Sequence, residues 1–205
     1  MKNSLFNPEN WLWKPFGWVA DLLVLSTMWL LSSLPLFTLG AACTATYDCA
    51  ARCVKQGQPE LFSRYFRTFR RELVPALFSF LLWAAPLSLV YLFLRRFAAG
   101  AADSAAVAAT YTILVLLGFA VGMFSWVFPL LSRFTFRVAA LNTTALRLAL
   151  AHPLRTLLLA AIHLLGGYVC IRFWVPVLVV PGLVSILSAH ILEPVLQKYE
   201  EPQAA

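Results

Sequence analysis

The sequence predicts an all-α polytopic membrane protein, and its composition and the placement of its charges support this fold class. Hydrophobic residues make up 61% of the 205 residues and charged residues only 12%, whereas soluble domains have about 45–50% and about 25%. The apolar residues form five stretches, each near the roughly 20 residues that a helix needs to cross the hydrocarbon core. The basic residues lie just outside these stretches. This pattern excludes a soluble enzyme, a disulfide-stapled secreted domain and a disordered scaffold.

The five predicted spans form a single transmembrane domain over residues 1–205. They cover residues 18–39, 73–94, 105–131, 154–171 and 173–192. The two long connections are not loop-like in composition. Their apolar residues recur at helical spacing, which predicts amphipathic helices at the membrane surface over residues 61–72 and 134–152.

The first of these surface helices has an aromatic face and an arginine face. Its basic residues are Arg64, Arg67, Arg70 and Arg71. Guanidinium groups at headgroup depth attract anionic lipid, with about 1 kcal/mol for each basic residue near the surface. We therefore expect this helix to contact anionic lipid. The alternative is a docking helix for a cytoplasmic partner.

The basic residues also predict the orientation of the chain. Most of the 16 lysines and arginines fall in the first and third connections, and positively charged loops stay on the cytoplasmic side. The N-terminus is therefore expected outside and the C-terminus in the cytoplasm. The net charge of +7 does not indicate nucleic acid binding, because lipid headgroups compete for these side chains.

The order of segments suggests a parallel internal repeat. Pro35 near the end of the first span matches Pro129 near the end of the third, and a basic amphipathic segment and a further span follow each of them. The repeat would consist of two units of helix, surface helix and helix, followed by the fifth span.

Prolines and glycines within the spans predict kinks and close helix packing. Kinks are expected at Pro35, Pro86, Pro129 and Pro181, because proline removes a backbone donor and frees the carbonyl four residues earlier. Gly118 and Gly122 form a G-x-x-x-G motif, which allows another helix to approach closely. That helix would belong to the same bundle or to a second copy in a homo-oligomer.

Ionisable residues within the spans are scarce, and Asp21 and His163 are the two of greatest interest. A buried carboxylate requires a counter-charge. We expect Asp21 to pair with Arg95, Arg96 or Arg172, and the functional alternative is a proton or cation site. His163 is expected to be a neutral hydrogen-bond partner between helices.

The sequence offers no catalytic, cofactor or metal site. It has no phosphate-binding G-x-x-x-x-G-K-[ST] motif, no G-x-S-x-G and no H-E-x-x-H. Its four cysteines have no ligand-like spacing and no histidine near them, so they are interpreted as small buried thiols. We therefore expect a noncatalytic protein.

The order of motifs resembles the YesL family of bacterial integral membrane proteins. The resemblance covers nearly the whole chain and is most specific between the first span and the segment after it. The matching segments are Leu5-Phe6-Asn7-Pro8-Glu9-Asn10, Ala20-Asp21-Leu22-Leu23 with Trp29, Ser33-Leu34-Pro35-Leu36-Phe37-Thr38-Leu39-Gly40-Ala41, Thr44-Ala45-Thr46-Tyr47, Tyr65-Phe66-Arg67-Thr68-Phe69-Arg70 and Phe128-Pro129-Leu130-Leu131-Ser132-Arg133-Phe134.

This resemblance implies a small multi-helix protein of the bacterial inner membrane. It also implies an association with carbohydrate uptake, including sugar ABC importers, without a known activity. Two functions follow as expectations. The first is a noncatalytic accessory or interaction protein that uses the basic helix as its contact surface. The second is a small-solute transporter or channel in which Pro35, Pro86 and Pro129 shape the path and Asp21 binds an ion.

Overall fold

The computed structural model describes residues 14–57, 60–99, 103–135 and 137–200. Within these residues the chain forms seven α-helices and no strand. They are α1 (Lys14–Ser33), α2 (Leu39–Cys49), α3 (Leu61–Ala99), α4 (Asp103–Arg133), α5 (Val138–Ala151), α6 (Pro153–Arg172) and α7 (Val180–Glu200). Short 3₁₀ helices at Leu36–Thr38 and Val175–Leu178 precede α2 and α7, and a π-helical turn, Ala50–Val54, extends α2.

Four of these helices are long and apolar enough to cross a membrane. They are α3, α4, α6 and α7. The segments Gly17–Ser33 of α1 and Val138–Ala151 of α5 are shorter apolar helices. The all-α polytopic fold class is therefore confirmed, and the predicted spans 105–131 and 154–171 lie within α4 and α6.

The first predicted span, residues 18–39, is divided in the structure. Helix α1 ends at Ser33, and Pro35 has an extended backbone with φ −77° and ψ 114°. Proline disfavours a helical conformation at the residue before it, which ends the helix although the apolar run continues. Pro35 therefore separates two helices, and the predicted kink within a spanning helix does not occur there.

Helix α2 lies between α1 and the first half of α3 and runs antiparallel to both. Trp29 Nε1 of α1 donates to Cys43 Sγ at 3.4 Å, and Cys49 Sγ donates to the carbonyl oxygen of Leu61 at 3.6 Å. Nine of the eleven residues of α2 are buried, most of them small. The first half of α3 therefore runs in the same direction as α1.

The predicted surface helix 61–72 and the predicted span 73–94 form one continuous helix. Helix α3 has 39 residues and continues through positions 75 and 86, so it is about 58 Å long at 1.5 Å per residue. The aromatic face of its first half was expected to enter lipid, but part of this face is buried within the protein. The Tyr65 side chain is fully buried, its hydroxyl lies 2.8 Å from Ser32 Oγ, and Phe69 packs on the core. Helices α1 and α2 cover much of the face that was expected to enter lipid.

The second half of the chain also differs from the predicted boundaries. Helix α7 begins at Val180 and ends at Glu200, later at both ends than the predicted span 173–192. Pro181 is the second residue of α7, a position where the missing N–H has no helical partner in any case, so the predicted kink is not needed there. Pro129 lies inside α4. The surface helix predicted over residues 134–152 corresponds to α5, whose buried residues include Leu141 and Leu148.

The element order changes the predicted repeat. Both halves contain a short helix between two longer ones, α1–α2–α3 and α4–α5–α6. In the first half the middle element is the buried α2, and the basic segment that was predicted there is the start of α3. The two predicted units therefore do not correspond element by element.

Within the described residues, one of the two glycines of the predicted motif lies at a close contact between helices. A Cβ at Gly122 would lie 3.0 Å from Thr156 Cγ2 of α6, whereas a Cβ at Gly118 would meet nothing within 4 Å. Thr156 Oγ1 also accepts a hydrogen bond from Trp126 Nε1 at 2.9 Å. Gly122 therefore allows α4 and α6 to pack closely within the bundle.

Candidate functional site

Three buried carboxylates lie in the bundle where α2, α3, α4 and α7 meet. Asp48 is on α2, Glu72 on α3 and Glu193 on α7, with exposed fractions of 4%, 4% and 1%. Ionised carboxylates in such surroundings are costly unless they have counter-charges and hydrogen bonds. Each of them contacts at least one arginine.

Asp48 is held by two arginines and one hydroxyl. Arg52, one helical turn further along the chain, places Nε 3.1 Å from Oδ1. Arg64 Nε and Thr68 Oγ1 of α3 each donate to Oδ2 at 2.9 Å. Asp48 therefore links α2 to the start of α3 and orients Arg52, which follows α2, and Arg64, which lies on α3.

Glu193 links α7 to α2 and α4. Its carboxylate accepts hydrogen bonds from Arg133 and from the Tyr47 hydroxyl, the latter at 3.2 Å. The pKa of Tyr47 is raised well above its ordinary value, mainly by burial and in second place by the negative charge of Glu193. The hydroxyl therefore remains a neutral donor. The Arg133 side chain is only 7% exposed, which makes this a buried ion pair.

The third carboxylate, Glu72, pairs with its neighbour Arg71 through Nε. The Glu72 side chain is 5% exposed and that of Arg71 is 53% exposed. Glu72 therefore anchors the inner part of a side chain whose outer part lies at the surface.

Asp48 and the arginines that contact the three carboxylates line a polar cavity of about 270 Å³, which we call the arginine cavity. Five guanidinium groups and one carboxylate line it, together with three hydroxyl groups. The lining residues are Asp48, Arg52, Arg64, Arg67, Thr68, Arg71, Ser132, Arg133, Phe134 and Thr135. A second cavity, of about 260 Å³, lies between α3 and α4 and has an apolar lining that includes Val90, Ile113 and Leu116.

The arginine cavity brings together some of the residues predicted from sequence. Arg64, Arg67 and Arg71 line it, whereas Arg70 is exposed on α3 and is not among the lining residues. Asp48, Glu72 and Glu193 were not predicted from sequence as site residues, and Arg133 was named only as part of a segment that resembles the family. A detectable signal existed for Glu193, an acidic residue directly after the last predicted span.

Asp21 and His163, the two ionisable residues predicted within the spans, do not line the arginine cavity. Asp21 is exposed on α1, and the described part of the chain gives it no ion pair, so the expected partnership with Arg95, Arg96 or Arg172 is not formed. His163 Nδ1 lies 2.8 Å from the carbonyl oxygen of Leu159 and 3.4 Å from Ser125 Oγ of α4. The structure thus places His163 between α4 and α6.

Comparison with protein families finds a match over part of the chain. Residues 22–93, which include most of α1, all of α2 and most of α3, match the family described as Protein of unknown function, DUF624. The match contains much of the arginine cavity, including Asp48 and Arg64. The segment Leu5-Phe6-Asn7-Pro8-Glu9-Asn10, which contributed to the resemblance noted above, lies outside the described residues. No curated protein and no solved structure matches this chain.

Proposed function

We propose that this protein, which contains a DUF624 domain, is a noncatalytic component of the bacterial inner membrane and assists carbohydrate uptake. In this proposal it is a YesL-type accessory protein. It docks on a sugar ABC importer through the exposed side of the first half of α3, and the same side meets anionic lipid at its edge.

One observation carries this proposal. Arg67 and Arg70 are exposed on the same helix as Phe62 and Phe66, whose exposed fractions are 59% and 51%. Arginine and aromatic residues are enriched at protein interfaces and dominate their binding energy. The first half of α3 therefore offers a partner both apolar contact and charge.

The accessory role is favoured over transport because three of the four residues expected to form a path do not line the polar cavity. Asp21, Pro35 and Pro129 are absent from its lining. Asp21 is instead on the exposed face of α1, and Pro35 lies in the connection between α1 and α2.

Charge reversal at the docking surface tests the proposed function. We expect the double variant Arg67→Glu/Arg70→Glu to lose co-purification with the importer's membrane subunits, because each reversal replaces an attractive contact with a repulsive one. Arg95→Glu/Arg96→Glu is the matched control, since these two arginines are exposed at the other end of α3. Recovery is measured by quantitative mass spectrometry of cross-linked membranes.

Equal recovery of the importer with both double variants would contradict the accessory role. Purified protein in liposomes provides a second measurement. Solute flux that changes in Asp21→Asn would support the transporter function instead.

The orientation is a separate part of the proposal. We place the arginine-rich start of α3 and the C-terminus in the cytoplasm, following the distribution of basic residues. We also place the beginning of α1 on this side, which differs from the sequence prediction of an outside N-terminus. The reason is that α1 and the first half of α3 run in the same direction beside α2.

Cysteine labelling of intact cells with a membrane-impermeant maleimide checks this orientation. We expect Ser104→Cys to be labelled, and Lys55→Cys and Ser4→Cys to be protected until the cells are opened. The native background is low at α2, because burial raises the pKa of Cys43 to about 11 and that of Cys49 further, so both thiols stay protonated at neutral pH. The unsubstituted chain is the control, and labelling of Ser4→Cys in intact cells would restore the predicted outside N-terminus.

A further inference from the structure

We infer that the arginine cavity is a binding site for a phosphate group, carried either by a phospholipid headgroup or by a small soluble phosphate. The docking proposal and this site share Arg67, which is exposed and also lines the cavity, whereas Arg70 is exposed and does not line it. Variants of Arg70 alone therefore separate docking from binding in the cavity.

The charge balance of the cavity favours an anion. Five arginines line it and the described lining holds one carboxylate, Asp48. The lining therefore carries an excess of positive charge. A phosphate group, which carries more than one negative charge at neutral pH, would offset part of this excess.

The geometry of the ion pairs orients the arginines for such a ligand. Asp48 contacts Arg52 at Nε, and Glu72 contacts Arg71 at Nε. Nε is the inner nitrogen of the guanidinium group, so these contacts fix the position of the side chain, and the outer nitrogens Nη1 and Nη2 are the donors that a bound anion would use. Arginine donors held in a fixed fork match the oxygens of phosphate, and this preorganisation reduces the entropy lost on binding.

The side chains come from four parts of the chain. Arg52 follows α2, Arg67 and Arg71 lie on α3, Arg133 ends α4, and Thr135 is in the connection after it. A phosphate bound between them would be contacted from several directions, as a tetrahedral anion requires. An isolated basic helix would offer donors from one side only.

The size of the cavity limits the ligand. Its volume of about 270 Å³ is slightly below the range of about 300–1,000 Å³ that is typical of pockets for drug-sized ligands. A phosphate with a small substituent, such as a glycerol phosphate headgroup, matches this volume better than a nucleotide does.

Ligand-induced stabilisation of the purified full-length chain in neutral detergent tests the inference. The probes are inorganic phosphate and short-chain phosphatidic acid, with short-chain phosphatidylcholine and chloride at equal ionic strength as controls. A ligand that binds only the folded state raises the thermal midpoint in a concentration-dependent way. We expect phosphate, phosphatidic acid or both to raise the midpoint, and neither control to do so.

Matched variants locate the site. Arg52→Gln and Arg67→Gln each remove donors from the cavity. In the Arg52→Gln variant, Asp48 keeps Arg64 and Thr68 as hydrogen-bond partners. Each is expected to weaken binding at least tenfold. Arg70→Gln is the control, because it removes one positive charge from the same helix without touching the cavity lining. The thermal midpoint without ligand shows whether each variant is folded.

The results distinguish a soluble phosphate from a lipid headgroup, and they distinguish the phosphate site from the docking surface. Stabilisation by inorganic phosphate indicates a soluble ligand, and a response to phosphatidic acid alone indicates a lipid headgroup. No response to either probe, or an equal loss of affinity in Arg70→Gln, would overturn the inference. Loss of the importer in Arg70→Glu with unchanged phosphate binding would support the docking proposal alone.

Discussion

Replacing Glu193 with alanine is expected to lower the free energy of unfolding by about 3–5 kcal/mol, since it removes the carboxylate from a buried ion pair and deprives Arg133 of this counter-charge. Arg133 would keep its positive charge at a side-chain exposure of 7%, and the Tyr47 hydroxyl would lose its acceptor. The loss is measured by heating the protein in detergent and following the folded fraction by size-exclusion chromatography.

The double variant Arg133→Gln/Glu193→Gln provides the matched comparison. It removes both charges together and leaves an amide oxygen that can accept from Tyr47, so we expect it to be more stable than Glu193→Ala. Lys198→Gln, an exposed charge on the same helix, controls for a change in net charge. A Glu193→Ala variant as stable as Lys198→Gln would show that the pair does not hold α7 in place.

Replacing Gly40 with valine is expected to separate α2 from α3 and α4. A Cβ at Gly40 would lie 3.0 Å from the carbonyl oxygen of Ala76 and 3.1 Å from the ring of Phe128. The carbonyl is part of the α3 backbone and cannot move aside as a side chain can. Overpacking of this kind costs about 1–3 kcal/mol and can exceed that where backbone must shift.

Gly118→Val is the control for Gly40→Val, because a Cβ at Gly118 meets nothing within 4 Å. Both variants introduce the same side chain into a helix, so the difference between their thermal midpoints measures the packing cost. A Gly118→Val variant that is the more destabilised of the two would contradict this account of the packing. Equal midpoints would argue against the close approach of α2 and α3.

The ends of a helix could be predicted from sequence where a charged residue or a proline directly borders the apolar run. Asp103 and Arg133 bound α4, and Pro153 and Arg172 bound α6, so hydropathy alone comes within two residues of their ends. The α1–α2 boundary could not be found in this way, because Leu34, Leu36 and Phe37 keep the segment apolar across it. Only the backbone restriction around a proline ends the helix.

The candidate site was predictable only in part. The arginines of α3 were identified by their spacing along one helix, which is a local pattern. The carboxylates Asp48, Glu72 and Glu193 lie on three helices, and their common location depends on how those helices pack. Local periodicity carries no information on such contacts, so the arginine face was expected to meet lipid when part of it is in fact paired internally.

The continuity of α3 has a mechanical consequence. Its 39 residues form one continuous lever about 58 Å long at 1.5 Å per residue, with Arg64 near one end and Arg95 near the other. A tilt of about 10° around its first turn would displace the opposite end by roughly 10 Å over that length. A ligand or partner that repositions the start of α3 would therefore also move its other end, on the far side of the bilayer. No separate signalling element would be needed.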